Sequence, residues 1–148
     1  MGLVADVLYD KYGYILHYAK LNVDTGNSPE EFKEYLGRSL LYIDTSFRTP
    51  MNRGRTEAFL SGCCVIQVEG AHDLERWAKP GKNIVIVPND PIEIANIVVD
   101  FLENDYAKAI TIGKQGKEMA IKEFSPLRYR LGWLKLLETV TGKKLIKN

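Results

Sequence analysis

Arg53 and Arg55 flank Gly54, Glu57 follows two residues later, and Thr49 and Asn52 stand just before them. Guanidinium groups hold a diphosphate in bidentate geometry, and an ionised Glu facing a cleft accepts hydrogen bonds from hydroxyls. A loop that opens a helix adds backbone N–H groups and the positive end of the helix dipole, which together receive an anion. A plain alternative exists for each residue. Arginines in a loop can be solvated, and a Glu in a first helical turn gains about 0.3–1 kcal/mol from the dipole with no ligand at all. Further along, His72 and Asp73 sit after Gly70, where they could touch a ligand or simply start a helix. His17 is a base only if another domain faces it, and is otherwise a strand or surface histidine.

The elements around this stretch alternate. Leu40-Leu41-Tyr42-Ile43 reads as a short buried strand that delivers Asp44, Thr45 and Ser46 to the loop. A helix over residues 54–60, a Gly62 break and a strand over residues 63–68 follow, then a turn at Glu69-Gly70-Ala71 and a helix over residues 72–78 with Trp77 in the core or an interface. Pro80-Gly81 marks a turn before another buried strand over residues 84–87. Ser28-Pro29-Glu30-Glu31 and Asp90-Pro91-Ile92-Glu93 both combine a cap, a proline at the first helical position and an early acid, so each predicts a helix start. Gly37 should end the first of these helices. Ile94, Ile97, Val98, Phe101 and Leu102 recur at helical spacing in the second, and Asn104-Asp105 ends it. A helix to residue 122 and a last helix opened by Ser125-Pro126 complete the chain, while residues 3–8 and 14–21 are apolar and aromatic enough for strands. Strand–helix alternation predicts an α/β fold, a Rossmann-like three-layer sandwich with a mostly parallel sheet; in such a sheet the residue 45–54 loop lies on the edge where ligands bind.

The 148 residues, 45% of them hydrophobic, suit one domain with a single core. Twenty basic and nineteen acidic side chains leave no broad field for steering nucleic acid, so no nucleic-acid partner is expected. No apolar run is long enough to span a membrane, and Met1-Gly2-Leu3-Val4-Ala5-Asp6 lacks the pattern of a signal peptide, so the expected location is cytoplasmic. Cys63 and Cys64 are adjacent, too few and badly placed for a disulfide framework or a zinc site, and read as small apolar residues of a buried strand. Neither a metal nor another cofactor is expected.

Glu57-Ala58, then Ser61-Gly62 and Cys64-Val65-Ile66, resemble the Glu-Ala, small-Gly and x-Val-Ile pattern in the nucleotide-sugar half of GT-B glycosyltransferases of family 4 (group 1). Gly70-Ala71-His72-Asp73 is similar to the Gly-Gly-x-x-Glu turn of that family. Residues 80–88 resemble its GxNGxLVPP strand, and Glu123-Phe124-Ser125 its xFS. The resemblance covers residues 40–140. It implies a nucleotide diphosphate sugar as partner, with Glu57 on the ribose, Arg53 or Arg55 near the diphosphate, and Asn52, Gly54, His72 and Asp73 about the donor. Family enzymes carry a second Glu eight positions before the one matched by Glu57, and Thr49 stands there, so a donor-sugar contact at Thr49 departs from the pattern.

Such an enzyme has two domains, and the resemblance implies that this chain is the donor half, completed by an acceptor-binding domain or chain. Two alternatives stay open. The chain could be a non-catalytic interaction or assembly module of glycosyltransferase ancestry, which Thr49 favours; or an unrelated receiver-like domain, which the absence of an acidic cluster and of a glycine-rich phosphate loop disfavours. The last helix carries Leu127, Leu131, Leu134 and Leu137 on one stripe and Tyr129, Trp133, Leu136 and Val140 on another. Two stripes imply two packing partners; in the resembled family this helix crosses back to the other domain, and where that domain is absent a homodimer through this helix, or through the N-terminal segment, is a further expectation.

Overall fold

The computed structural model describes residues 2–16, 28–46, 52–71 and 74–145. Its elements are α1 (Gly2–Tyr12), α2 (Pro29–Arg38), β1 (Leu41–Asp44), α3 (Arg53–Ser61), β2 (Cys64–Val68), β3 (Val85–Val87), α4 (Pro91–Glu103), α5 (Tyr106–Glu123) and α6 (Pro126–Thr141). A single 3-10 turn lies at Leu74–Arg76. The strands pair in parallel in the order β1-β2-β3, with Ile43 opposite Ile66 and Ile66 opposite Val85.

Side chains alternate across β2, and each set meets its own helices. Cys64, Ile66 and Val68 pack with Val4, Leu8, Ile94, Val98 and Phe101, which come from α1 and α4. Cys63 and Val65 meet Phe32, Leu36, Ala58 and Phe59 from α2 and α3. All five residues of β2 are therefore buried, which is why this strand is an unbroken run of mostly apolar residues. Trp77 is buried between Phe59 and Phe124, edge-on to both at 5.6 Å. Burial pushes the Cys63 thiol up to about 11 and the Cys64 thiol up to about 12, so both are neutral, unreactive core groups.

The capping signals hold in detail. Ser28 and Glu31 form a reciprocal capping box, and Asp90 accepts from the N–H groups of Ile92 and Glu93. Three expectations need correction. Residues 3–8 belong to a helix, because Val4 and Leu8, one helical turn apart, are both buried against α4; the same apolar residues satisfy either period, and packing selects the helical one. Of the helix expected at residues 72–78, residues 72 and 73 lie outside the described residues and 74–76 form only the 3-10 turn, since Trp77 leaves it to enter the core. Gly37 lies inside α2, which ends at Arg38 with Ser39 as its cap. Of residues 14–21, those up to 16 are irregular, and the rest, including His17, lie outside the described residues.

Candidate functional site

The residue 52–57 segment comes to the carboxyl ends of β1 and β2, as a parallel sheet dictates. Asp44, the last residue of β1, is buried, and its carboxylate accepts from the Ser46 N–H at 2.9 Å, the Ser46 hydroxyl at 2.6 Å and Asn52 Nδ2 at 2.9 Å. Asn52 is also the N-cap of α3, where its Oδ1 accepts from Gly54 N at 3.0 Å and Arg55 N at 3.5 Å. One side chain thus ties the end of β1 to the start of α3 and occupies two of the N–H groups that an anion would use.

Gln67 braces the same corner from beneath. It is fully buried in β2; its Oε1 accepts from Arg55 Nη1 at 2.7 Å, and its Nε2 lies 2.9 Å from Ser46 O, 3.1 Å from Val68 O and 3.2 Å from Asp44 O. The Arg55 guanidinium stands 5.5 Å from the Trp77 ring, and the residue is only 2% exposed. Arg55 is therefore placed inside the domain, where it joins α3 to β2. Arg53 points the other way, into solvent, and donates through Nε to Glu57 Oε1 at 2.8 Å. The Glu57 side chain is 30% exposed.

Gly54 is fitted closely. A Cβ there would stand 2.6 Å from the Tyr42 hydroxyl. Burial first, then the charge of Asp44, pushes the Tyr42 hydroxyl up to about 12, so it keeps its proton at neutral pH. Of the predicted site residues, Asn52, Arg53, Gly54 and Glu57 thus share the first turns of α3 at the sheet edge, while Arg55 lies behind them. Thr49, His72 and Asp73 lie outside the described residues. The bracing role of Gln67 was missed, although a lone amide in an otherwise apolar strand was the available signal. Among the described residues, no group of three His, Cys, Asp or Glu could hold a metal ion.

At this edge a cation and a carboxylate thus stand side by side, with the Arg53 side chain 83% exposed. No family model and no curated protein matches the chain. Solved structures do. Anabaena Alr3699/HepE in complex with UDP-glucose matches at 23% identity over 76% of this chain and 30% of its own, with a TM-score of 0.60. Sucrose-phosphate synthase from Thermosynechococcus elongatus matches at 24% identity over 73% of this chain and 27% of its own, with a TM-score of 0.64. The chain thus spans about 30% of the length of these proteins. Likeness at such identity speaks for the fold alone, and that fold is Rossmann-like, an open parallel sheet of the kind that forms one half of a GT-B fold.

Proposed function

We propose that this chain is a donor-binding domain, which holds a nucleotide diphosphate sugar for transfer to an acceptor bound by another domain or chain. The observation that carries the reading is the position of Arg53 and Glu57, side by side on the first turns of α3 at the carboxyl edge of a parallel sheet. HepE, of similar fold, is seen with UDP-glucose. In this reading Glu57 accepts from the ribose hydroxyls and Arg53 turns to the diphosphate. Arg55 supports both through Gln67. When the sugar passes to an acceptor hydroxyl, the departing diphosphate gains negative charge, which the α3 dipole and Arg53 stabilise without a required metal. Roles for Thr49, His72 and Asp73 near the sugar rest on their place in the motifs alone.

One feature of the site favours a second reading, a non-catalytic interaction module. Asn52 already occupies the N–H groups of Gly54 and Arg55, so a diphosphate must displace that side chain or bind beside it. Titration calorimetry with UDP, GDP and ADP sugars separates the two. The donor reading expects heat with at least one of them at up to millimolar ligand, and a loss of about tenfold in affinity for Glu57→Gln, the value of a charged hydrogen bond of roughly 1.5 kcal/mol. A folded sample that gives no heat with any donor leaves the interaction module as the better account.

A further inference from the structure

We propose that the groove between α5 and the residue 76–83 loop binds a sugar phosphate, at a site apart from the α3 edge and not dependent on donor binding. Two walls fixed to each other form it. Asn83 is buried; its Oδ1 accepts from Lys79 N at 2.7 Å and its Nδ2 donates to Trp77 O at 3.0 Å, so one amide holds the loop in shape. Helix α5 meets that loop at backbone distance, since a Cβ on Gly116 would stand 2.9 Å from Asn83 O. The groove between them has a volume of about 860 Å³, enough for a small ligand.

Two observations say what that ligand carries. Lys79 and Lys82 line the groove from the loop, and Lys114 and Lys122 line it from one face of α5. Among the described residues, none of these four ammonium groups has an ion pair. The acids of the groove are Glu118 and Glu123, and Glu123 is paired with Arg128 at 2.9 Å. The balance favours an anion. Gln115 lines the same groove, and its Oε1 is the one buried side-chain polar atom among the described residues with no hydrogen-bond partner. A buried acceptor without a donor is a loss that a ligand hydroxyl recovers. Phosphate answers the lysines but brings few donors, and a sugar brings donors without charge. A sugar phosphate brings both.

The chain spans about 30% of the length of its structural neighbours, so a further domain is a rival occupant for any open surface. This groove is badly suited to one. It lies at the amino ends of the strands, where the Lys79–Lys82 turn leads into β3, whereas the α3 site lies at the carboxyl ends. No residue of α6 borders it. A protein face laid over it would strip water from four lysines, with Glu118 to answer one of them, and burying unpaired charge is costly. A small anion leaves the lysine chains free to stay partly in water while it pairs with them.

Amide chemical shifts of the isotope-labelled whole chain, titrated with mannose 6-phosphate, inorganic phosphate and mannose, test this. The expected result is saturable shifts at residues 79–83 and 111–118 with mannose 6-phosphate at millimolar ligand or below. Inorganic phosphate should bind the same residues roughly tenfold more weakly, the worth of one or two recovered hydrogen bonds, and mannose should shift nothing. Lys82→Gln and Lys114→Gln should each weaken both anions several-fold; both residues are exposed, so the variants should keep the wild-type fold. Gln115→Leu should reduce mannose 6-phosphate to the affinity of inorganic phosphate and leave inorganic phosphate unchanged, which a general loss of structure would not do. Arg53→Gln should change neither. No saturable shift at millimolar mannose 6-phosphate overturns the proposal, as does equal affinity for inorganic phosphate. Shifts that gather on residues 52–57 and vanish in Arg53→Gln overturn it too, and assign the ligand to the α3 edge.

Discussion

Asn52 controls what the first turn of α3 can hold, because its one amide both caps the helix and tethers the chain to Asp44. Asn52→Gly would free the Gly54 and Arg55 N–H groups. Replacing an Asn cap by Gly costs only a few tenths of a kcal/mol at the helix, and the lost bond to Asp44 adds about 1 kcal/mol. If the site takes a nucleotide diphosphate, the variant should bind UDP several-fold more tightly while melting a few degrees lower. Calorimetry and thermal unfolding on one sample check both parts. Gln67 acts at the same corner from the strand side. Gln67→Met keeps the shape but leaves the buried Arg55 Nη1 without that acceptor and Ser46 O without that donor. The expected cost is about 1–3 kcal/mol by urea unfolding, with weaker nucleotide binding, because the loop that α3 hangs from loses its brace.

At the scale of elements, the tightest contact is α5 across the amino ends of the strands. A Cβ on Gly113 would stand 2.3 Å from Gly62 O and 3.0 Å from Cys64 N. Both are backbone atoms, so no side chain can turn aside to make room. Gly113→Ala should therefore move α5 and cost about 1–3 kcal/mol or more. Gly132 in the middle of α6 has nothing within 4 Å of its Cβ position. There alanine should instead stabilise the helix by up to about 1 kcal/mol, on propensity alone. Opposite shifts in midpoint for the same chemical change, read by thermal unfolding, would verify that α5 is packed and α6 is not. Like signs would mean that α6 is covered, or that α5 stands off the sheet.

For the whole molecule, the donor reading makes a negative prediction. The chain spans about 30% of the length of its structural neighbours, and nothing among the described residues offers a second Rossmann-like unit to face the α3 edge. Purified chain with a nucleotide sugar and a simple sugar acceptor should then give no transfer product above the uncatalysed background. Product, detected by chromatography, would show that this chain alone or a dimer of it builds a complete cleft. Charge at this scale also needed the fold. The total is close to zero, yet Arg128 borders a groove that shares Arg76, Trp77 and Glu123 with the one lined by Lys79, Lys82, Lys114 and Lys122, and that clustering is invisible in a sum.

Helix caps and strand polarity were legible from the chain itself, since Ser28, Asp90 and Ser125 act on N–H groups two or three residues away and need no distant partner. The parallel sheet was equally readable, because strands buried on both faces leave an unbroken apolar run such as residues 63–66. Residues 2–12 were not, since their apolar spacing serves a helix or a strand until α4 is present to bury Val4 and Leu8. Nor could a local rule separate the two arginines around Gly54. They are two residues apart in sequence, and consecutive α-helical positions turn by about 100°, so they face nearly opposite ways. The amide of Gln67, twelve residues further on, draws Arg55 inside, while Arg53 stays in water beside Glu57. Sequence determined that a basic, acid-bearing helix start would sit on the carboxyl edge of an α/β sheet; tertiary packing decided which of its charges faces out, because burial is a property of neighbours the local pattern does not contain.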